Sequence, residues 1–392
     1  MKRATETKKV ARTVVGLNRE ALEPLLRHEG GLAVSLYMPV QFQTKKDAHE
    51  DAVRLRHLLQ TAKAELLLQG VGESDARALL RSAEELAAGE VLSVKAPGIA
   101  LFATGDLFRK FELPGQVAER VTVGTHFEIK PLLGLIGVGS FYVLAFSQKH
   151  VRLLHATPDG INELAVHGAP QNLFAAFEAE HFERQMQFHT AASPRADAQA
   201  TRISHGGSRE NKDRIVEFLR KVDRGVTAAI HDQTAPMLLA GVNYLLPMYH
   251  EVCTYPALLQ EAIPGNPDNL KAEELLAAGR AAINRHLQAE NHTHFASYQQ
   301  LKGTPQASSN SREIVVSADR GHVLFLFIPE GGVQWGQVDT LGEVHLHAQR
   351  EPEDEELVNR AAMKTLACGG QVCVLSSSEF DEGVRMAAIF RY

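Results

Sequence analysis

The stretch TRISHGGSRENKDRIVEFLRKVDRG, residues 201–225, combines a turn with an amphipathic helix, and the rest of the chain is interpreted around it. His205, Gly206, Gly207 and Ser208 form a turn that needs permissive backbone. An apolar stripe at helical spacing follows, which predicts a helix packed on a core. The stripe consists of Ile215, Phe218, Leu219, Val222 and Val226. Ser208 can cap this helix, and its first-turn amides with the two glycines would make an anion site.

The face of the predicted helix opposite the apolar stripe is basic. It carries Arg209, Lys212, Arg214, Arg220, Lys221 and Arg224. Such a face suits a polyanion, but a solvated helix surface and an ordinary N-cap would explain the same residues. The local sequence leaves both interpretations open.

Composition bounds the class of protein. The chain has 392 residues, of which 44% are hydrophobic and 22% charged, so we expect two or three domains with real cores. The formal net charge is -6, so any RNA contact must come from a local basic patch. Three cysteines form no disulfide framework and favour a reducing compartment. No apolar stretch approaches the ~20 residues of a membrane helix. We therefore expect a soluble, cytoplasmic protein with no membrane partner.

Neither a metal nor a cofactor is predicted. His286, His292 and His294 lie close in sequence, and His345 and His347 would share one strand face, but neither group has further ligands at a settled spacing. The glycines of residues 134–139 lack the crossover helix and acidic residue of a dinucleotide site. Ser208 beside His205 has no evident orienting acid, which argues against a nucleophile–base pair.

The order of predicted elements indicates an α/β, multidomain chain. Residues 1–131 form a mixed α/β domain, residues 132–288 a sheet with at least one crossover helix, and residues 289–392 a smaller α/β domain. A short helix at residues 243–251 is expected to break at Pro247. The polar residues 303–311 are the best candidate linker, and residues 353–368 are predicted as a helix.

Four segments together resemble one family. They are FYVLAFSQKHVRLL (residues 141–154), HGGSRENKDRIVEFLRKVD (205–223), MLLAGVNYLLPMYHEV (237–252), and the run GHVLFLF…WG…ACGGQVCVL…AAIFRY within residues 321–392. In this order they resemble the bacterial relatives of archaeal and eukaryotic class-1 translation release factors, a group that includes Pelota-like proteins. The resemblance covers chiefly residues 132–392.

This resemblance implies an RNase-H-like or Rossmann-like middle domain and an αβα C-terminal domain. In true release factors a Gly-Gly-Gln loop helps water attack the ester of peptidyl-tRNA. Gly206 and Gly207 match the two glycines, while Ser208 replaces the glutamine. A backbone amide at this position can still stabilise the oxyanion, but a serine side chain is too short to place the water. The candidate catalytic residues are thus His205, Gly206, Gly207 and Ser208, and peptidyl-tRNA hydrolysis stays open.

Three hypotheses follow from the resemblance. The chain is a ribosome- and tRNA-associated factor in termination, rescue or quality control that can hydrolyse peptidyl-tRNA; or it is a non-catalytic binder of ribosome or RNA; or it is an enzyme or protein-interaction module that kept only the fold. Under the first two hypotheses the RNA-binding residues would be Arg202, Arg209, Lys212, Arg214, Arg220 and Lys221. Each would release counterions from a phosphate backbone.

Overall fold

The chain folds into two compact units, both mixed α/β. The computed structural model describes residues 14–15, 19–28, 30–41, 45–88, 96–113, 115–135, 140–157, 160–176, 208–351 and 353–392. Unit 1 comprises Met1–Gly139 with Gln288–Tyr392, and unit 2 comprises Ser140–Leu287. The predicted α/β, multidomain class is therefore confirmed. The partition into three domains stays a prediction.

The first part of unit 1 is a five-stranded sheet covered by two long helices. Its elements are β1 (Val14–Val15), α1 (Arg19–Leu26), β2 (Ala33–Pro39), α2 (Lys45–Leu68), α3 (Glu73–Ala88), β3 (Gly98–Ala103), β4 (Phe108–Leu113), β5 (Arg120–Gly124) and α4 (Lys130–Leu133). The strand order is β1-β4-β3-β2-β5. Leu55, Leu59 and Leu80 of the helices pack on Leu36 and Met38 of β2, as their helical spacing predicts.

Unit 2 is built on a second five-stranded sheet. Its elements are β6 (Phe141–Phe146), β7 (Val151–Thr157), β8 (Gly160–Leu164), α5 (Ser208–Ala229), β9 (Met237–Gly241), α6 (Leu245–Val252), β10 (Leu258–Pro264), a 3-10 turn at Pro267–Asn269, and α7 (Ala272–Leu301), which begins in this unit. The order is β10-β9-β6-β7-β8. Strands β6, β7 and β8 form an antiparallel meander, whereas β9 runs parallel to β6, and β10 parallel to β9. This is the RNase-H-like alternative, because an antiparallel β7 excludes an all-parallel Rossmann sheet.

Helices cover both faces of the unit 2 sheet. On one face α5 and α6 share a core with Leu144, Phe146 and Leu239. On the other face Gly279 of α7 lies so close to β6 that an added Cβ would stand 2.7 Å from a ring carbon of Phe141. Only glycine permits this approach, because a side chain there would overlap the ring.

The last part of unit 1 completes the core begun by the first. It contains β11 (Ala307–Ser308), α8 (Ser311–Asp319), β12 (Val323–Pro329), β13 (Trp335–Val338), β14 (Val344–His347), β15 (Glu355–Glu356), α9 (Leu357–Ala367), β16 (Gln371–Leu375), a 3-10 turn at Ser377–Glu379, and β17 (Ala387–Phe390). Two sheets form, ordered β11-β17-β12-β16 and β14-β13-β15. Leu22, Phe102 and Phe127 share one core with Leu326 and Phe390, so the two ends of the chain fold together.

Several local expectations need correction. Pro247 does not break α6, because it lies in the first turn, where a missing N–H costs no intrahelical bond. Residues 303–311 are not a linker, since β11 within them pairs with β17. Helix α9 begins only at Leu357, because Glu356 serves as its N-cap. Strands β10, β13 and β15 were not predicted from the sequence, whereas the strand expected at His345 and His347 is present as β14.

Candidate nucleic-acid interface

Helix α5 begins at Ser208, directly after the glycine pair. Arg202, His205, Gly206 and Gly207 lie outside the described residues. For Ser208 and Arg209 the structure describes the helical backbone but not the side chains. The proposed loop chemistry of these residues therefore stays a prediction.

The predicted apolar stripe of α5 forms the contact with the sheet. Ile215, Phe218, Leu219, Val222 and Val226 are all buried, and they pack with residues of β6, β9 and α6. Burying five large apolar side chains stabilises the helix by ~1.5–3 kcal/mol per side chain. This part of the sequence interpretation is confirmed.

Gly225 lets the backbone of α5 approach a neighbouring segment. An added Cβ would stand 2.6 Å from Cβ of Ala169 and 3.1 Å from a side-chain carbon of Val166. The sequence contains no signal for this contact, because the two residues lie far apart in the chain. The glycine therefore places α5 against the segment that follows β8.

Asp223 is a buried carboxylate that ties α5 to the end of α6. It accepts hydrogen bonds from the hydroxyl of Tyr249 (3.2 Å), from Thr254 Oγ1 (2.7 Å) and from the Thr254 amide (3.1 Å). Burial raises the pKa of Tyr249 well above its ordinary value, with Cys253 and Asp223 adding to the effect. Burial likewise raises the pKa of Cys253 to about 12. Tyr249 and Cys253 therefore stay protonated at neutral pH. The hydrogen bonds that Asp223 accepts hold α5 against the end of α6.

The exposed face of α5 carries charges of both signs. Lys212, Arg214, Arg220 and Arg224 are exposed, as predicted for an RNA-contacting face. Lys221 is half-buried. Its Nζ lies 3.8 Å from Oε1 of Glu217 and donates a hydrogen bond to the carbonyl of Ala176 (3.4 Å). Asp213 and Glu217 interrupt the exposed basic residues. The face is thus a mixed, net-positive surface rather than a continuous basic stripe.

The histidines noted in the sequence do not converge on one site. His286 pairs with Glu261 (3.0 Å), His292 pairs with Glu379 (3.0 Å), and His294 stacks on Phe325. Each ring therefore has its own neighbour, although the three residues are close in sequence.

The two histidines of β14 each lie beside a pair of carboxylates. His345 is grouped with Asp339 and Glu343, and His347 with Glu351 and Asp354. The Nδ1 atom of His347 lies 2.8 Å from Oδ1 of the buried Asp354. Burial alone would raise the pKa of Asp354, but the Glu351 amide and His347 hold it below the usual range. These carboxylates lie within seven residues of their histidines in the sequence, and the β13–β14 hairpin and the loop after it bring the side chains together.

Within the described parts of the chain, no helix combines the length and the apolarity needed to cross a membrane.

Comparison with known protein families gives a match that covers unit 2. Residues 140–322 match the model of "Bacterial archaeo-eukaryotic release factor family 3". Comparison with curated proteins gave no match. The match spans the whole of unit 2 and continues into unit 1 as far as the start of β12.

Among solved structures, the chain is similar to an archaeal translation termination factor, aRF1, with 14% identity, a TM-score of 0.25, and coverage of 97% of this chain and 100% of that one. It is similar to Archaeoglobus fulgidus Pelota with 11% identity, a TM-score of 0.30, and coverage of 75% and 79%. It is also similar to S. cerevisiae Dom34, a translation termination-like factor, with 10% identity, a TM-score of 0.33, and coverage of 73% of each chain. TM-scores below 0.5 do not establish a shared overall arrangement, so the similarity rests on the family model that matches residues 140–322.

The fold and the glycine-preceded helix define a multidomain α/β protein with an RNase-H-like unit. Residues 140–322, just under half of the 392-residue chain, are in turn similar to a release-factor-like family.

Proposed function

We propose that this protein is a release-factor-like factor that associates with the ribosome or tRNA in translation termination, rescue or quality control. The observation that carries the proposal is helix α5, which begins at the residue after Gly207 and exposes Arg220 and Arg224 one turn apart. A helix in this setting can present a glycine loop while its basic side chains face phosphates. The family match over residues 140–322 supports the same role.

The chemistry open to the loop is hydrolysis of the peptidyl-tRNA ester. The backbone amide of Ser208 would stabilise the developing oxyanion, since any residue other than proline supplies an amide. Its side chain is too short to position the attacking water as glutamine does. Hydrolysis should therefore be slow, and the serine favours a second candidate function, a ribosome-binding factor that releases no peptide.

Co-sedimentation with bacterial ribosomes tests the association. The full chain is centrifuged with vacant ribosomes and with ribosomes carrying peptidyl-tRNA, at low and moderate salt. Binding that weakens with salt is expected, because each phosphate contact releases counterions. Absence of binding to both ribosome states would contradict the proposal and favour a module that has kept only the fold.

Peptide release from the loaded ribosomes then separates the two candidates. Gly207→Pro should abolish release, because proline removes the backbone freedom and an amide of the loop. Ser208→Gln should increase release if the loop enters the catalytic centre of the ribosome. Wild-type release that is equal to that of Gly207→Pro would show that the loop is not the working part.

Charge reversal tests the helix face separately from the loop. Arg220→Glu with Arg224→Glu should weaken ribosome binding and flatten its salt dependence. Arg77→Glu with Arg81→Glu is the matched control, since these two arginines are also exposed four residues apart on one helix, α3 of unit 1. Equal losses in both variants would mean that net charge, and not this face, governs binding.

A further inference from the structure

The carboxyl ends of three parallel strands meet at one edge of unit 2. Strands β6, β9 and β10 end there at Phe146, Gly241 and Pro264. The order of strands along the chain reverses between β6 and β9, and such a reversal opens a crevice that binds ligands in open α/β sheets. The Gly265 amide donates to the Gly241 carbonyl (3.0 Å), which joins the loops after β10 and β9.

Gln148 lies at the centre of this edge and links two further segments. Its Nε2 donates to the hydroxyl of Tyr244 (2.8 Å), across the reversal between β6 and β9. Its carbonyl accepts from the Leu173 amide (2.9 Å), which brings in the segment that contains Phe174. The Tyr244 side chain is 52% exposed and Phe174 is 70% exposed. Two aromatic side chains therefore stand in solvent on segments that are both fixed to Gln148.

Tyr244 occupies a position where local structure does not call for tyrosine. It is the N-cap residue of α6, yet its side chain makes no capping hydrogen bond. Short polar residues are preferred at an N-cap because they satisfy the first free amides. Tyrosine at this position lacks the stabilisation of a capping hydrogen bond. Its ring lies outside the core, and its hydroxyl accepts a hydrogen bond from Gln148. A residue that breaks a local rule in this way indicates a functional position.

The edge is poor in carboxylates and rich in amides. The chain carries a net charge of -6 and 47 acidic residues, but residues 147–150, 171–174, 242–244 and 265–269 contain a single acid, Asp268. Its Oδ1 lies 3.5 Å from Nδ1 of His150. Lys149 of the same loop is exposed. The exposed amide side chains are Gln148, Gln171, Asn243, Asn266 and Asn269.

We propose that this edge, which we call the amide edge (Gln148, Lys149, Phe174, Asn243 and Tyr244), binds unpaired bases of single-stranded RNA. Exposed aromatic rings stack on bases, and amides hydrogen-bond base edges that are accessible only in unpaired strands. The scarcity of carboxylates removes the repulsion that a net-negative chain would otherwise exert on a phosphate backbone. The inference rests on the proposed function, because it names the RNA feature that the release-factor-like unit would contact.

Binding of a labelled single-stranded RNA 12-mer by the full chain tests the inference, with a duplex of the same sequence as the comparison probe. Fluorescence anisotropy should show tighter binding of the single strand. Tyr244→Ala with Phe174→Ala should weaken that binding by about tenfold or more, the size expected from losing base stacking. Tyr244→Phe keeps the ring and should bind within about twofold of the wild type. Ultraviolet cross-linking should map the RNA to residues 148 and 244.

Matched controls separate this inference from the proposed function. Leu341→Ala removes another highly exposed apolar side chain, on the β13–β14 hairpin, and should leave RNA binding unchanged. Wild-type affinity in the Tyr244→Ala, Phe174→Ala protein, with loss in the α5 charge-reversal variant, would overturn the amide edge and leave the proposed function standing. RNA binding at the amide edge without co-sedimentation with ribosomes would support the amide edge and contradict the proposed function. Loss of co-sedimentation in the Tyr244 variant with unchanged RNA affinity would indicate a protein contact and would also overturn the inference.

Discussion

The two units each contain an edge where parallel strands end, and the two edges differ in the charge of their side chains. In unit 1, β12 and β16 run parallel and end at Pro329 and Leu375. The loops beyond them line a cavity of about 180 Å³, whose charged lining residues are three acids, Glu330, Asp381 and Glu382, and one base, Arg385. In unit 2 the corresponding edge carries amides and aromatic rings with one carboxylate. Parallel strands end at the edge in both units, and the side chains there determine the charge of each edge.

The two edges also differ in how they are held. Lys130 Nζ donates to the Gly332 carbonyl (3.0 Å) beside the cavity of unit 1 and to Glu356 Oε2 (2.9 Å). Both side chains are largely buried, so a charged pair supports that edge. The amide edge is instead held by neutral hydrogen bonds such as that between Gln148 and Tyr244. We therefore expect substitutions to act mainly on stability in unit 1 and mainly on binding at the amide edge.

The largest effect is expected for Glu356→Ala. The Glu356 carboxylate also accepts from the backbone amides of Gln334 (2.9 Å) and Asn359 (2.9 Å), so its removal uncaps α9 and takes the ion-pair partner from the buried Lys130. Breaking a buried pair in this way costs ~3–5 kcal/mol. Urea unfolding monitored by the single tryptophan in unit 1, Trp335, measures this loss. Glu382→Ala, an exposed residue at the same edge, is the control, and a comparable loss there would contradict the difference between buried and exposed carboxylates.

A smaller loss is expected for Asp223→Ala in unit 2. This carboxylate has neutral donors only, and their hydrogen bonds are lost without leaving a buried charge. We expect the free energy of unfolding to fall by about 2 kcal/mol. Hydrogen exchange of α5 amides locates the loss in unit 2, and Asp213→Ala on the exposed face of the same helix should change little. If Asp223→Ala lowered the free energy of unfolding as much as Glu356→Ala does, then a buried ion pair would stabilise its unit no more than neutral hydrogen bonds do.

Exchanging the charges of the two edges is the direct test of the comparison. Gln148→Glu with Asn243→Asp gives the amide edge two carboxylates and should weaken binding of the RNA 12-mer about tenfold through repulsion. Glutamate can still accept a hydrogen bond from Tyr244, so the fold should persist. The reciprocal variant, Glu330→Gln with Glu382→Gln, should change affinity by less than about twofold. Changes in RNA affinity of similar size from both variants would show that the net charge of the chain, and not the position of the charges, determines RNA binding.

The smallest effect is a pH dependence that belongs to unit 1. Glu128 is 5% exposed, and burial raises the pKa of its carboxyl while Lys130 lowers it and Glu356 raises it. The folded state therefore holds this proton more tightly than the unfolded state. Stability contributed by the protonated form is present below the unfolded pKa and is lost as the pH rises through the raised folded pKa.

Glu128→Gln removes this titration. The variant should gain stability relative to the wild type as the pH increases from about 4 to 7, because glutamine carries no charge to bury. Unfolding curves at several pH values measure the difference, and Glu382→Gln should show no such trend. A relative gain at low pH instead would mean that the carboxylate form is the one the fold stabilises.

The sequence by itself determined features that depend on neighbours a few residues apart. The stripe Ile215–Phe218–Leu219–Val222–Val226 repeats at helical spacing, so α5 and its buried face could be predicted. The β3–β4 hairpin could be predicted from Gly105 and Asp106 between two apolar runs.

Only the tertiary structure decided which distant residues meet. Gln148 and Tyr244 are 96 positions apart, and their hydrogen bond depends on β9 lying beside β6. Gly225 likewise meets Ala169, and Leu22 shares a core with Phe390, only because packing brings together segments that are distant in the sequence. Strand β10 escaped prediction because its side chains are partly exposed on both faces, so its sequence has no clear alternation. Periodicity reports the surroundings of one element, whereas a site composed of loop ends depends on sheet order, which the packing of the whole unit decides.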